Sequence, residues 1–217
     1  MSLNGRRYPE NRAVEKHAEY SGLKEKHADE SSLMEKQDNE RNNLSESKVR
    51  QVHNARKVTL KNLSMAGLFI ALSLLGANVK FWGNTIALDS APGFLAALLL
   101  GSGYGGFVGA AGHLFSALIS GMPLSPVVHM ITAISMAVVM MLHGFLARKF
   151  GNGLGAIVIR VLVAILMNSV VATLPLIPIL AWGMIVSLWV PLAIATTVNV
   201  LIAEFAYFFW RKNRNEI

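Results

Sequence analysis

The chain has 217 residues, 53% hydrophobic and 15% charged, with 20 Lys+Arg against 13 Asp+Glu. Residues 58–217 hold only eight of those bases and three of those acids, so about 7% of that stretch is charged, against roughly a quarter in soluble domains. A soluble core of that size is excluded. The stretch reads instead as an all-α integral membrane protein, a bundle of six transmembrane helices behind a charged N-terminal tail at 1–57. The basic excess is spread over both parts, which argues against a nucleic-acid patch. The absence of cysteine excludes disulfides and thiolate chemistry.

The tail carries a ten-residue repeat: EKHAEYSGLK from Glu15, EKHADESSLM from Glu25 and a degraded EKQDNERNNL from Glu35. Ten residues at about 100° each set successive copies about 80° out of phase on a helix, so Leu23, Leu33 and Leu44 form no continuous apolar stripe. Low apolar content with mixed charge points to a disordered or fraying helical arm on the cytoplasmic side. The same spacing keeps His17 and His27 off one helical face, which speaks against a metal site there. The tail has no short apolar core with a cleavage site, so insertion is expected to begin with the first span.

That span is Leu60 to Val79, with Lys61 as its one charge. Twenty residues at 1.5 Å each match a bilayer core. The apolar run Ala91 to Gly121 is too long for one helix, and Gly101, Gly103, Gly105 and Gly106 break it into two short, tightly turned helices. Val127 to Ala147, Gly155 to Leu176 and Trp182 to Trp210 supply the remaining three, with Pro175 and Pro178 marking the last turn.

Six crossings put both termini on one side. With that side cytoplasmic, Arg56, Lys57, Lys61, Arg148, Lys149, Arg211, Lys212 and Arg214 lie near inner ends, and Lys80 alone lies outside. A re-entrant hairpin made of the two short helices would leave this bias unchanged.

Polar groups at membrane depth are costly unless paired, which makes them site candidates. They cluster towards the outer side. The connection NVKFWGNTIALDSAP holds Asn78, Lys80, Trp82, Asn84, Thr85, Asp89 and Ser90; His129 sits one turn into the fourth span, Asn168 and Thr173 near the outer end of the fifth, and His113 near mid-depth in the third. Together they suggest an outward-facing pocket. Each also has an ordinary structural reading. Trp82 and Trp182 suit an interfacial belt, and Lys80 suits snorkelling. Asp89 stands where it would cap the helix starting Ser90-Ala91-Pro92, and the two histidines suit bridges to helix carbonyls. Arg160 and Glu204 fall near inner ends, as a structural ion pair would.

No catalytic set is present. The glycine run lacks the Lys-Ser/Thr ending of a phosphate loop, and Ser120, preceded by Leu118 and Ile119, lacks the glycine of an intramembrane serine protease motif. Gly101, Gly105 and Gly109 repeat at four, as do Gly67 and Ala71, a spacing suited to close helix approach. Without a nucleotide motif, any transport must draw on an ion gradient or a partner.

The block LDSAPGFLAALLLGSGYGGFVGAAGHLFSALISGMPLSPVVHM, with the small-residue spacing in span one and the polar connection after it, resembles the substrate-binding S components of energy-coupling factor (ECF) transporters over residues 60–210. The acidic helix start, glycine turn and Gly-His sequence resemble the subgroup proposed to import alpha-ribazole, a cobalamin precursor. The resemblance implies a multi-pass subunit of a bacterial plasma membrane that captures a vitamin or vitamin precursor from outside. It implies assembly with a transmembrane coupling subunit and two cytosolic ATPases, which hydrolyse the ATP, and no cofactor or enzymatic activity in this chain. It also implies an outer lid at Asn78 to Ser90, and a coupling-subunit contact at Gly67, Ala71 and Leu75, although glycine stands where the family has the first alanine of Ala-x-x-x-Ala. Phe81 and Trp82 would then stack on a planar heterocycle, with Asn84, Asp89, His129 and Asn168 binding its hydroxyls or ring nitrogens. The competing reading is a proton- or sodium-coupled secondary transporter using His113 and Glu204, for which six spans without an inverted repeat is small.

Overall fold

The computed structural model describes residues 10–78, 80, 81 and 86–215. Contacts divide the chain into two units, Met1–Val58 and Thr59–Ile217. The first unit lies on α1, which runs from Glu10 to Ala77. The described tail is therefore helical, one of the two alternatives its composition suggests. The residues account for it: Glu, Lys, Ala, Leu, Met, Gln and Arg recur, and no proline interrupts the stretch after Glu10. Leu23, Met34, Leu44 and Val52 are all exposed, as the phase drift of the repeat requires.

In the second unit α1 is followed by a two-residue antiparallel pairing of β1, Lys80–Phe81, with β2, Ile86–Ala87. Then come α2 (Ala91–Leu99), α3 (Ser102–Ile119), α4 (Pro126–Phe150), α5 (Leu154–Ser169), a 3-10 turn (Val171–Leu176) and α6 (Trp182–Asn215). Among the described residues four segments are long and apolar enough to cross a membrane: Met34–Ala77, Pro126–Phe150, Leu154–Leu176 and Trp182–Arg214. The six crossings expected from sequence are thus met by four helices of full span. The nine residues of α2 reach only about 14 Å, half of an apolar bilayer core.

Why α2 stops where it does is local. Gly101 takes φ +120°, a conformation costly for any residue with a Cβ, and it turns the chain directly into α3. The guanidinium of Arg148, at the end of α4, folds over this turn and donates to the Ser102 hydroxyl. The helices then pack at backbone distance. A Cβ on Gly105 would strike the Ala97 backbone, one on Gly144 would lie 2.8 Å from the Ala97 carbonyl oxygen, and one on Gly93 or Gly109 would strike Met140. Phe94, Ala96 and Ala97 of α2 are consequently almost wholly buried. The glycine-rich run brings helices into close contact, as its four-residue spacing predicts.

α1 joins this core through Ala66, Phe69, Ser73 and Ala77, which share one buried face. Gly67, Ala71 and Leu75 lie on the opposite, exposed face. At the end of the bundle where α4 finishes, Arg160 of α5 donates from Nε and Nη2 to the two carboxylate oxygens of Glu204 on α6. Its Nη1 donates to the Gly151 carbonyl at 2.8 Å, and His143 Nε2 lies 3.1 Å from Glu204 Oε1. All three side chains are buried, and the His143 ring meets the Phe94 ring edge-on. The expected ion pair is present, and it ties α4, α5 and α6 together.

Two outcomes follow for thermal unfolding of the purified protein in detergent. Gly144→Ala should destabilise by about 1–3 kcal/mol through overpacking, whereas Gly155→Ala, in α5 with open space around it, should be neutral or slightly stabilising. Glu204→Ala should cost about 3–5 kcal/mol by stranding the buried guanidinium, and Arg160→Met combined with Glu204→Leu should recover most of that loss.

Candidate functional site

A cavity of about 270 Å³ opens among α3, α4, α5 and α6 at the end of the unit where β2 leads into α2. Its polar lining comprises Asp89, Ser90, His113, His129, Thr132, Asn168, Thr173, Thr196 and Asn199. The remainder is apolar, chiefly Leu124, Val128, Met136, Leu176, Leu188 and Leu192. Local sequence places each group. The Ser125 side chain accepts from the Val128 amide and Pro126 opens α4, so the helix begins just in time to turn His129 inwards. His113 reaches it from α3, with His129 Nδ1 and His113 Nε2 3.3 Å apart. One imidazole must donate to the other, so the tautomer of each fixes that of its neighbour. The second nitrogen of His129, Nε2, is buried and has no protein partner. An unpaired buried nitrogen in a polar cavity wall is a natural place for a ligand group.

On the opposite wall Asn168 Nδ2 donates to Thr196 Oγ1 at 2.6 Å, leaving its carbonyl oxygen available. Thr173 receives the Trp189 indole N–H at 3.1 Å and donates to the Val170 carbonyl at 2.8 Å. Asp89 accepts from the Ser90 hydroxyl at 3.1 Å. Among the described lining residues Asp89 is the one carboxylate, and none is lysine or arginine.

Of the residues singled out from sequence, Asp89, His113, His129 and Asn168 meet at this cavity, as do Ser90 and Thr173. Asn78 does not. It is exposed at the end of α1, and its Nδ2 is spent on the Leu74 carbonyl one turn back, as a helix-terminal asparagine readily does. Phe81 is described only as backbone in β1, and Trp82 and Asn84 lie outside the described residues. Trp182 stands apart from the cavity, half-exposed and packed edge-on against Trp189.

Asp89 is not the cap of α2. The N-cap residue is Ser90, which makes no side-chain cap bond, and the first amide of the helix, on Ala91, is held by Asn199 Oδ1 from α6. Glu204 lies away from the cavity in its pairing with Arg160, so the two titrating groups of the carrier reading, His113 and Glu204, do not share a site. Sequence reading missed Thr132, Thr196 and Asn199. The signal was present in the run Thr196-Thr197-Val198-Asn199, polar residues deep inside an apolar helix.

The described residues include no cluster of three or more His, Cys, Asp or Glu able to hold a metal ion. No curated protein matches the chain. A family model described as "ECF transporter, substrate-specific component" matches residues 61–214, which contain all the described cavity-lining residues. The chain belongs to the substrate-specific component family of ECF transporters.

Proposed function

We propose that this chain captures a vitamin or vitamin precursor from outside a bacterial plasma membrane, with alpha-ribazole as the favoured substrate, and passes it to partner subunits for ATP-driven import. Family membership makes it a membrane-embedded substrate-binding subunit that works with an ECF module of transmembrane and ATPase subunits. The observation that carries the finer reading is the cavity: polar groups, among which Asp89 is the one described carboxylate, gathered in a membrane region otherwise nearly bare of them. Its volume is just below the roughly 300–1,000 Å³ of pockets for drug-sized ligands. That favours a molecule the size of a nucleoside.

The chemistry of the lining selects further. Asp89 and the histidine pair suit hydroxyl and ring-nitrogen groups, while the leucines, Val128 and Met136 suit the face of a planar heterocycle. A phosphate or carboxylate would meet the Asp89 carboxylate with no described cation in the lining to offset it. A ligand without a phosphate or carboxylate suits this lining.

In this reading residues 58–217 form the substrate-binding domain and both termini are cytoplasmic, in keeping with the basic residues at the ends of α4 and α6. The exposed face of Gly67, Ala71 and Leu75 serves the transmembrane coupling subunit. Two cytosolic ATPases hydrolyse the ATP, and this chain needs no cofactor of its own.

Calorimetry on the purified protein tests the site. Alpha-ribazole should bind, its phosphorylated form at least tenfold more weakly, a difference of about 1.4 kcal/mol or more, and Asp89→Ala and His129→Ala should each cost at least tenfold. Equal affinity for the phosphorylated form, or intact affinity in both variants, would contradict the proposed cavity chemistry. Uptake tests the mechanism: cells making this chain alone should bind alpha-ribazole without accumulating it, and accumulation should require the coupling module. Accumulation by the chain alone would instead identify a gradient-driven carrier.

A further inference from the structure

The start of α2 is held from a distance. The Asn199 side chain, 1% exposed on α6, accepts the Ala91 amide at 2.8 Å on Oδ1 and donates from Nδ2 to the Ala87 carbonyl, also at 2.8 Å. Its other Nδ2 hydrogen goes to the Ala195 carbonyl of its own helix at 2.8 Å. One carboxamide thus brackets the segment 87–91, and within the bracket stand Asp89 and Ser90, two of the polar residues lining the cavity.

We propose that Asn199 is a positioning residue for ligand capture: by clamping Ala87 and Ala91 it holds Asp89 and Ser90 in place at the cavity. The inference rests on the reading of the cavity as the ligand site.

Helix starts are ordinarily capped by the residue just before them, through a side-chain oxygen that accepts an early amide. Here Ser90 occupies that place and makes no such bond; its hydroxyl donates to Asp89 instead. The first helix amide, on Ala91, is taken by α6, Pro92 has none to offer, and the Gly93 amide donates to the Ser90 carbonyl, so no early amide calls on the side chains of Asp89 and Ser90. Leu88 is held separately, its amide donating to the Gly76 carbonyl at 3.2 Å, so the backbone on both sides of Asp89 is fixed. Asn199 spends both its donors and accepts on its oxygen within the protein, which suits a support rather than a ligand contact. Asparagine is suited to the task because one short neutral group offers donor and acceptor together. Aspartate would keep the acceptor and lose both donors, and leucine would lose all three bonds.

The test joins hydrogen exchange of the ligand-free protein with alpha-ribazole titration. Asn199→Leu should speed exchange of the Ala91 amide at least tenfold and weaken alpha-ribazole binding at least tenfold. In an Asp89→Ala background the same substitution should weaken binding by no more than about twofold further, because Asn199 acts through the segment that carries Asp89. Unchanged exchange at Ala91, or a full tenfold loss persisting without the Asp89 carboxylate, overturns the proposal. If Asn199→Leu does not yield folded protein, Asn199→Asp takes its place. It keeps the acceptor for Ala91 and lacks the donor for Ala87, and it must show the same affinity loss with the same dependence on Asp89. Failure of the wild-type protein to bind alpha-ribazole would count against the substrate reading, whereas the exchange measurement decides the clamp by itself.

Discussion

The close approach of α2, α3 and α4 is the constraint on which the rest of the second unit depends. Inside a bilayer there is little hydrophobic gain in bringing helices together, so association relies on packing, and packing improves when small residues let backbones meet. Ala97 faces Gly105 on one side and Gly144 on another, and Met140 fills the space between Gly93 and Gly109. This arrangement can bury a helix of nine residues within a bundle. Its consequence is polar as well as steric. A helix that begins inside the protein must satisfy its first amides there, and the Asn199 side chain meets that demand for Ala91 while holding the chain that lines the cavity.

Two groups of buried polar residues result, and they differ in whether they line the cavity. Arg160, Glu204 and His143 form a compact set around a bidentate guanidinium–carboxylate pair, further tied to the Gly151 carbonyl. Such a set holds helices in place, and His143 Nδ1 is left without a partner within it. At the cavity His129 Nε2 likewise has no partner, and the Asn168 amide donates to the Thr196 hydroxyl. Position distinguishes the two orphaned nitrogens: His129 lines the cavity and His143 does not.

Much of this was legible in the sequence, for identifiable reasons. Scarcity of charge marked the spans, and the same scarcity made Asp89, His113, His129 and Asn168 conspicuous; all four line the cavity. Glycine spacing pointed to close packing, and the paired charges Arg160 and Glu204 found each other. What escaped was set by contacts across long sequence separations. Asn199 caps a helix 108 residues earlier, and no local pattern announces that. The adjacent Asp89 offered a cap of the usual kind, but Ser90 is the N-cap residue and the first amide goes to α6. Thr132 was hidden because a hydroxyl within an apolar helix can bond to its own backbone, as Thr132 does to the Val128 carbonyl, and so carries no obvious signal of depth. The tail is helical over its described residues. Intrinsic propensity summed over many good helix formers acts without any apolar stripe, and α1 includes it from Glu10 onwards.

The central claim is that the cavity holds a small neutral heterocycle taken from outside the cell. Native mass spectrometry of the protein, purified in mild detergent from cells supplied with alpha-ribazole, addresses it most directly. The account predicts one non-covalent molecule per chain, with the mass of alpha-ribazole and no phosphate, lost from the Asp89→Ala variant. A retained anionic or phosphorylated compound, or wild-type protein that emerges with no small molecule bound, would contradict it.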